Sequence, residues 1–188
     1  MHGRVCPWWI GYLLASPIRR FAHNPRTILA PLVSEGMTVL EPGPGMGFFT
    51  LELARLVGEG GRVIAVDVEP RMLAELVRRA RRAGLAERIE ARASAAERLG
   101  TADLAGTVDF VLAFAVVHEL PSVERFFAEM AQALKPGAKL LLSEPNGHVS
   151  AGDFEGELKA AEQAGFAVDS RPAIKRSRSA LLQKPRSS

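Results

Sequence analysis

The sequence has little of several features that would assign a protein to a special class. It contains one cysteine, Cys6, so an internal disulfide is excluded and a cytoplasmic location is expected. No apolar run approaches the roughly 20 residues that a membrane-spanning helix needs. The formal net charge is only +3, which disfavours a nucleic-acid partner. Nearly half of the 188 residues are hydrophobic, and such a chain is typical of one folded domain with a substantial core.

Sequence elements of several known chemistries are also absent. No set of His, Cys, Asp or Glu has the spacing of a metal site, so no metal is expected. The chain has no C-x-x-C or G-x-S-x-G motif and no internal repeat. Arginine is concentrated over residues 78–82 and 171–186. We interpret these clusters as a solvated helix face and a solvated tail in preference to the alternative, a nucleic-acid-binding patch.

The first 35 residues are dense in large apolar side chains, most of them between Trp8 and Leu14. Side chains of this size must be covered by something. We therefore expect residues 1–35 to form a flap on a single domain that covers residues 1–188. The flap could be only a part of the core, a lid over a substrate pocket, or a contact with lipid or with a second copy in a homo-oligomer.

Apolar strands alternate with helical segments from Met37 onward. Strands are predicted over residues 37–41, 62–67, 88–93, 107–117, 139–144, 166–170 and 177–183. This alternation predicts an α/β fold with a doubly wound, mostly parallel seven-stranded sheet. The last two strands have no helix between them, so they are expected to be antiparallel to each other.

The segment from Val39 to Thr50, VLEPGPGMGFFT, joins a strand to a helix through glycines at positions 43, 45 and 47. Glycine allows a ligand to lie against the main chain, and the free N–H groups of a helix start favour polar or anionic ligand groups. A nucleotide-like ligand is predicted. Ligands of such sheets bind at the carboxyl ends of the strands, so the turns after the first four strands are expected to share one cleft.

The glycine spacing E-x-G-x-G-x-G differs from the dinucleotide fingerprint, whose third glycine is replaced here by Phe48. It resembles motif I of the class I methyltransferases that use S-adenosyl-L-methionine. Val63–Asp67 is similar to the second strand of that family, Asp109–Leu120 to its fourth, and Phe126–Glu144 to its K-P-G-G segment and fifth strand. The chain as a whole resembles the small ubiquinone/menaquinone-biosynthesis-like members, which have a Rossmann-like fold.

The resemblance implies S-adenosyl-L-methionine as the cofactor and S-adenosyl-L-homocysteine as the product. Glu41 would orient the glycine loop or bind the amino group of the cofactor, and Asp67 would accept the ribose hydroxyls. Ser94 stands where relatives often carry an acid for the adenine amino group. The residues predicted to bind the cofactor are Glu41, Pro42, Gly43, Gly45, Gly47, Asp67, Val68, Ser94, Ala113 and Phe114.

Methyl transfer is an in-line displacement, and it needs a general base only if the acceptor loses a proton. The catalytic candidates His118 and Glu119 follow the fourth strand, and His148 follows the fifth. Glu144, which closes the fifth strand, is a further candidate, although each of the four could instead only organise a loop. No N/D-P-P-Y/F tetrapeptide follows the fourth strand, so methylation of base amino nitrogens is not expected. The resemblance to the ubiquinone/menaquinone-biosynthesis-like members implies a small-molecule acceptor, and the apolar flap suits a hydrophobic one. The alternatives are a nicotinamide-dependent oxidoreductase and a non-catalytic S-adenosyl-L-methionine-binding protein.

Overall fold

A computed structural model describes residues 23–95 and 97–186. Its helices are α1 (Pro25–Leu29), α2 (Thr50–Leu56), α3 (Pro70–Arg82), α4 (Val123–Ala133) and α5 (Ala151–Gln163). Its strands are β1 (Thr38–Pro42), β2 (Arg62–Asp67), β3 (Ile89–Ala93), β4 (Val108–Phe114), β5 (Leu134–Pro145), β6 (Ala167–Ser170) and β7 (Ser177–Gln183). The apolar segment Trp8–Leu14 lies outside the described residues, so the predicted flap and the single-domain organisation stay predictions.

The described residues up to 94 form one compact unit, and those from 95 onward form another. In the first unit β2 pairs in parallel with both β1 and β3. In the second unit β4 and β5 are parallel, and β7 is antiparallel to both β5 and β6. The strands follow the order β3-β2-β1-β4-β5-β7-β6 in one seven-stranded sheet. The predicted doubly wound α/β sheet with an antiparallel last strand is therefore confirmed.

The helices begin at local start sequences and bury one apolar face. Pro70 occupies the first turn of α3, and the Glu69 side chain accepts from the Arg71 N–H at 3.1 Å. The apolar face of α3 includes Leu73 and Leu76, which pack with Ala65 of β2. Full burial of a side chain such as Leu76 contributes roughly 1.5–3 kcal/mol. This packing holds α3 beside the turn that follows β1.

The fourth and fifth strands, predicted over residues 107–117 and 139–144, each differ from the prediction by more than one residue at one end. The fourth strand ends at Phe114, because Ala115 takes a left-handed φ of 57° and the chain turns into a short 3-10 helix, Val117–Glu119. The fifth strand begins earlier than predicted, at Leu134, which pairs with Val108 of β4. This pairing accompanies an extension of β5 by five residues, 134–138, ahead of its predicted start.

The edge strands β3 and β6 are short, with five and four residues. On β3, Arg92 lies 2.7 Å from Glu90. On β6, Asp169 forms an ion pair with Lys139 at 3.0 Å, and the register shifts between Val168 and Ser170. Among the described residues, no helix is long and apolar enough to cross a membrane.

Candidate cofactor and catalytic sites

The glycine loop after β1 is held in left-handed backbone conformations. Gly43, Gly45 and Gly47 have φ values of 66°, 53° and 84°. A Cβ atom at Gly45 would meet no described atom within 4 Å beyond its chain neighbours, whereas one at Gly47 would overlap Cδ1 of the buried Leu76. Gly45 therefore borders open space that a ligand can occupy, and Gly47 is required for packing of the loop on α3.

Asp67, at the end of β2, is joined directly to this loop. Its Oδ2 accepts from the Gly45 N–H at 3.2 Å, and its Oδ1 accepts from the Glu69 N–H at 2.9 Å. Burial raises the pKa of Asp67, although these backbone donors act in the opposite direction. Two predicted cofactor-binding residues thus meet in the structure. A carboxylate has about four lone-pair positions, so Asp67 keeps acceptor capacity for a ligand.

Ser94 follows β3 and lies next to Asp67, since its N–H donates to the Asp67 carbonyl at 3.0 Å. Its hydroxyl oxygen is buried and has no hydrogen-bond partner among the described residues. A buried polar atom without a partner costs on the order of 1–3 kcal/mol. A ligand that hydrogen-bonds to Ser94 Oγ would remove this cost.

Arg79 was missed in the interpretation of residues 78–82 as a solvated helix face. Its Nη1 donates to the Met46 carbonyl of the glycine loop at 2.6 Å. Its neighbour Arg78 does fit that interpretation, because it is exposed and forms an ion pair with Glu75 one turn away. Arg79 therefore restrains the loop from the side of α3.

In the second unit, Glu144 near the end of β5 is the centre of a hydrogen-bonded cluster. Its carboxylate is fully buried, and its Oε1 accepts from the Val116 and Val117 N–H groups at 3.3 and 2.8 Å. Its Oε2 lies 2.5 Å from Nδ1 of His118. The left-handed turn at Ala115 directs these N–H groups to Glu144. Both oxygens of the Glu144 side chain are thus engaged by neighbouring groups.

His118 is oriented by this carboxylate. The hydrogen bond to Glu144 raises the pKa of His118 above its ordinary value, although burial of the ring acts in the opposite direction. When the ring is neutral, the bond to Glu144 assigns the hydrogen to Nδ1, so that Nε2 carries the free lone pair. Nε2 lies 3.9 Å from Glu119 Oε1, and the His148 ring lies edge-on to the His118 ring at 5.5 Å between centroids. The three predicted catalytic residues are therefore neighbours.

Glu157 of α5 was not singled out from the sequence, yet it belongs to the same cluster. It is 6% exposed, and its Oε2 has no hydrogen-bond partner among the described residues. Burial, reinforced by the negative charge of Glu144, raises the pKa of Glu157 to about 8. The helical pattern could have found it, because Phe154, Glu157, Leu158 and Ala161 follow the i, i+3, i+4, i+7 spacing of one buried face.

The other predicted cofactor residues lie in or beside strands. Glu41 and Pro42 are buried at the end of β1, and Ala113 and Phe114 are buried at the end of β4. Val68 is half-buried directly after β2. In the part of the chain that the structure describes, no group of three or more His, Cys, Asp or Glu residues could hold a metal ion.

Residues 40–142, more than half of the chain, match the family model described as "Methyltransferase domain". The chain belongs to this family, and its fold is that of the class I S-adenosylmethionine-dependent methyltransferases. It is similar over 95% of its length to a solved S-adenosylmethionine-dependent methyltransferase from Aquifex aeolicus, with 27% identity, a TM-score of 0.83 and 98% of that chain covered.

Curated relatives are similar over a shorter stretch. The chain is 34% identical over 112 residues to the ubiquinone/menaquinone biosynthesis C-methyltransferase UbiE of Klebsiella pneumoniae. This aligned stretch covers 60% of this chain and 44% of the relative. It is 32% identical over 121 residues to an arsenite methyltransferase of Halobacterium salinarum. This aligned stretch covers 64% of this chain and 30% of the relative. The chain thus spans less than half the length of these two relatives.

One structural neighbour limits what the fold alone can decide. The [4+2]-cyclase SpnF shares the fold, with a TM-score of 0.72 and 17% identity over 89% of this chain and 82% of that chain. A protein with this fold can therefore be named for a reaction other than methyl transfer. Neither the family nor the relatives above support the nicotinamide-dependent alternative.

Proposed function

We propose that this protein transfers a methyl group from S-adenosyl-L-methionine to a small-molecule acceptor and releases S-adenosyl-L-homocysteine. The observation that carries the proposal is the open space at Gly45, which borders the carboxylate of Asp67. The membership of the methyltransferase domain family supports the same cofactor. Asp67 suits the ribose hydroxyls, and the buried hydroxyl of Ser94 suits a polar group of the adenine.

The residues of this chain would contribute by binding and orienting the cofactor, whose positively charged sulfur supplies an activated methyl group. Asp67 would accept the ribose hydroxyls with the lone pairs that Gly45 and Glu69 do not use. Arg79 would keep the loop in place through the Met46 carbonyl. Correct orientation of reactants can lower a barrier by on the order of 10 kcal/mol, because the entropy loss is paid on binding.

The roles of the remaining predicted cofactor residues stay predictions. Glu41 would orient the loop or bind the amino group of the cofactor, and Val68 would flank the adenine. The other residues predicted to bind the cofactor are Pro42, at the end of β1, and residues 113–114, at the end of β4. That the turns after the first four strands line one cleft also stays a prediction.

The acceptor is proposed only as a small molecule. The two curated relatives are named for ubiquinone and menaquinone biosynthesis and for arsenite, so the names within the family cover acceptors of different chemistry. A hydrophobic acceptor is predicted from the apolar segment Trp8–Leu14. A cytoplasmic location rests on the single cysteine, and a homo-oligomer stays an open alternative.

Isothermal titration calorimetry with S-adenosyl-L-methionine and S-adenosyl-L-homocysteine tests the cofactor. Gly45→Ala should weaken binding at least tenfold, because the new methyl group enters the space left for the ligand. Gly84→Ala is a matched control, since Gly84 also has a positive φ of 68° and no described atom within 4 Å of its Cβ position. Both variants should lose about 1–2 kcal/mol of stability from the left-handed alanine.

Four results would contradict the proposal. The folded protein could give no heat with either compound, or the two glycine variants could bind the cofactor equally well. Binding of NADH without binding of S-adenosyl-L-methionine would favour the oxidoreductase. If the cofactor binds but no acceptor in a cell extract receives labelled methyl, the non-catalytic alternative is favoured.

A further inference from the structure

The turn between β5 and α5, residues 146–149, contains an asparagine followed by a glycine, Asn146 and Gly147. We propose that Asn146 is a modification site, which loses its side-chain amide spontaneously when the Gly147 nitrogen attacks Cγ of Asn146. This loss of the amide needs neither the proposed methyl transfer nor a bound ligand. All the residues that take part lie in the unit that begins at residue 95.

The reaction has two steps, and water is its only co-reactant. In the first step the Gly147 nitrogen gives up its hydrogen and forms a bond to Cγ of Asn146. The bond from Cγ to Nδ2 breaks with its electron pair, so that ammonia leaves and a cyclic imide remains. In the second step water opens one of the two carbon–nitrogen bonds of the imide. Opening at Cγ gives aspartate, whereas opening at the main-chain carbonyl carbon gives isoaspartate, in which the main chain runs through the former side chain.

The Gly147 nitrogen is available for this attack. Its N–H donates to no other group among the residues that the structure describes. The next two N–H groups of the turn, those of His148 and Val149, both donate to the Pro145 carbonyl at 3.0 Å. Asn146 and Gly147 are both exposed, so water and hydroxide reach them. Glycine also has no side chain to obstruct the approach of its nitrogen to Cγ.

The Asn146 side chain is polarised by Arg178 of β7. Arg178 Nη1 donates to Asn146 Oδ1 at 3.0 Å and to the Val149 carbonyl at 2.8 Å. Negative charge develops on Oδ1 while the nitrogen adds to Cγ, and a guanidinium donor at that oxygen stabilises the developing charge. Arg178 is half-buried and binds both ends of the turn, so its donor group is held at Oδ1.

The chain has only one other asparagine, Asn24, and that residue cannot react in this way. The next residue is Pro25, whose nitrogen carries no hydrogen. The Asn24 side chain also accepts from the N–H groups of Arg26 and Thr27 at the start of α1. Asn24 is therefore an internal standard, which reports amide loss by direct hydrolysis alone.

The two products differ in their effect on the neighbouring histidines. Aspartate has nearly the same shape as asparagine, and its carboxylate forms an ion pair with Arg178. Isoaspartate adds a methylene group to the main chain between Pro145 and His148, which changes the spacing of their present hydrogen bond. The His148 ring, whose centroid lies 5.5 Å from that of the His118 ring, moves with the turn. Isoaspartate therefore disturbs the contact between the two rings, and aspartate preserves it.

Peptide mass spectrometry of the folded full chain tests the modification. The purified protein is incubated at pH 7 and at pH 8.5, and each sample is compared with one digested at the start. Trypsin releases Asn146 within residues 140–159 and Asn24 within residues 21–26. The Asn146 peptide should gain the mass of an amide converted to an acid, faster at the higher pH, and should separate into aspartate and isoaspartate forms. An Asn146 amide as long-lived as that of Asn24 would overturn the proposal.

Two variants test the groups beside the amide. Gly147→Ala should slow the loss about tenfold, because a Cβ atom restricts the rotation that brings the nitrogen to Cγ. A Cβ atom at residue 147 meets no described atom within 4 Å, so this variant keeps the fold, and Gly156→Ala, at another open glycine, is the matched control. Equal rates in the two glycine variants would overturn the attack by the Gly147 nitrogen.

Arg178→Met should slow the loss in the folded protein and leave the rate in urea unchanged, because the guanidinium is held at Oδ1 only in the fold. Faster loss in folded Arg178→Met would overturn the assignment of Arg178 as the group that promotes the attack.

Nuclear magnetic resonance of the histidine rings tests the consequence for the turn. Incubated protein enriched in isoaspartate should show larger shifts of the His148 and His118 ring signals than Asn146→Asp, which contains aspartate alone. Equal shifts in the two samples would overturn the disturbance of the ring contact, while the mass measurement would still decide whether Asn146 is modified.

Discussion

Replacement of Glu157 by glutamine should make the protein more stable, and the gain should grow with pH. Glutamine has nearly the same shape but no proton to lose. In the wild type, burial and the charge of Glu144 raise the pKa of Glu157 from the ordinary 4.5 to about 8. Between these values the folded state keeps the proton that the unfolded state loses. Wild-type stability from this group is therefore complete below pH 4.5 and is lost as the pH rises towards 8.

The size of the effect follows from the same interval. Each pH unit between the two pKa values changes the free energy of unfolding by about 1.4 kcal/mol. The free energy of unfolding of the variant should therefore exceed that of the wild type by about 3 kcal/mol at pH 7 and by about 5 kcal/mol above pH 8. Urea unfolding at pH 5, 7 and 8.5, followed by circular dichroism, measures the difference in unfolding free energy. Glu162→Gln on the same helix should not reproduce the pH-dependent gain. If Glu157→Gln raises the free energy of unfolding by the same amount at all three pH values, the conclusion that Glu157 is a buried neutral carboxyl group is refuted.

Three further predictions concern the two units separately. Gly47→Ala should cost about 2–4 kcal/mol in urea unfolding, because alanine at φ +84° is strained and its Cβ overlaps the buried Leu76; an unchanged midpoint would contradict this. Arg79→Met should weaken S-adenosyl-L-methionine binding in calorimetry, because the Met46 carbonyl of the glycine loop loses its hydrogen bond from Arg79. The variant should change stability less than it changes cofactor affinity. Ser150→Ala should cost about 1 kcal/mol of unfolding free energy through the lost capping box of α5, and addition of the cofactor should not restore it.

The regular elements could be predicted where the information is local. The strand Arg62–Asp67 and the last strand, Ser177–Gln183, have their predicted bounds, since each is a compact strand-forming segment between turns. The helix starts at Pro25 and Pro70 are local in the same way, because a side-chain cap and a proline at the first turn are adjacent in sequence.

The missed features depend on residues far apart in the chain. Val116 and Val117 continue the apolar pattern of β4, yet their N–H groups bind Glu144, which is 28 and 27 residues away. Arg79 appears in a run of arginines, and its bond to the Met46 carbonyl spans 33 residues. Pattern alone also does not indicate that the charge of Glu144 acts on the buried carboxyl group of Glu157. Such contacts are decided by the packing of the sheet and helices.

The two edge strands have a consequence for how the protein behaves at high concentration. An edge strand has unpaired backbone groups that can recruit a strand from another molecule, and this is a common route to aggregation. On β3 the charged residues Glu90 and Arg92 interrupt the exposed edge, and β6 is only four residues long, with a bulge and the charged Asp169. Both edges of the sheet that the described residues form therefore disfavour the addition of a further strand.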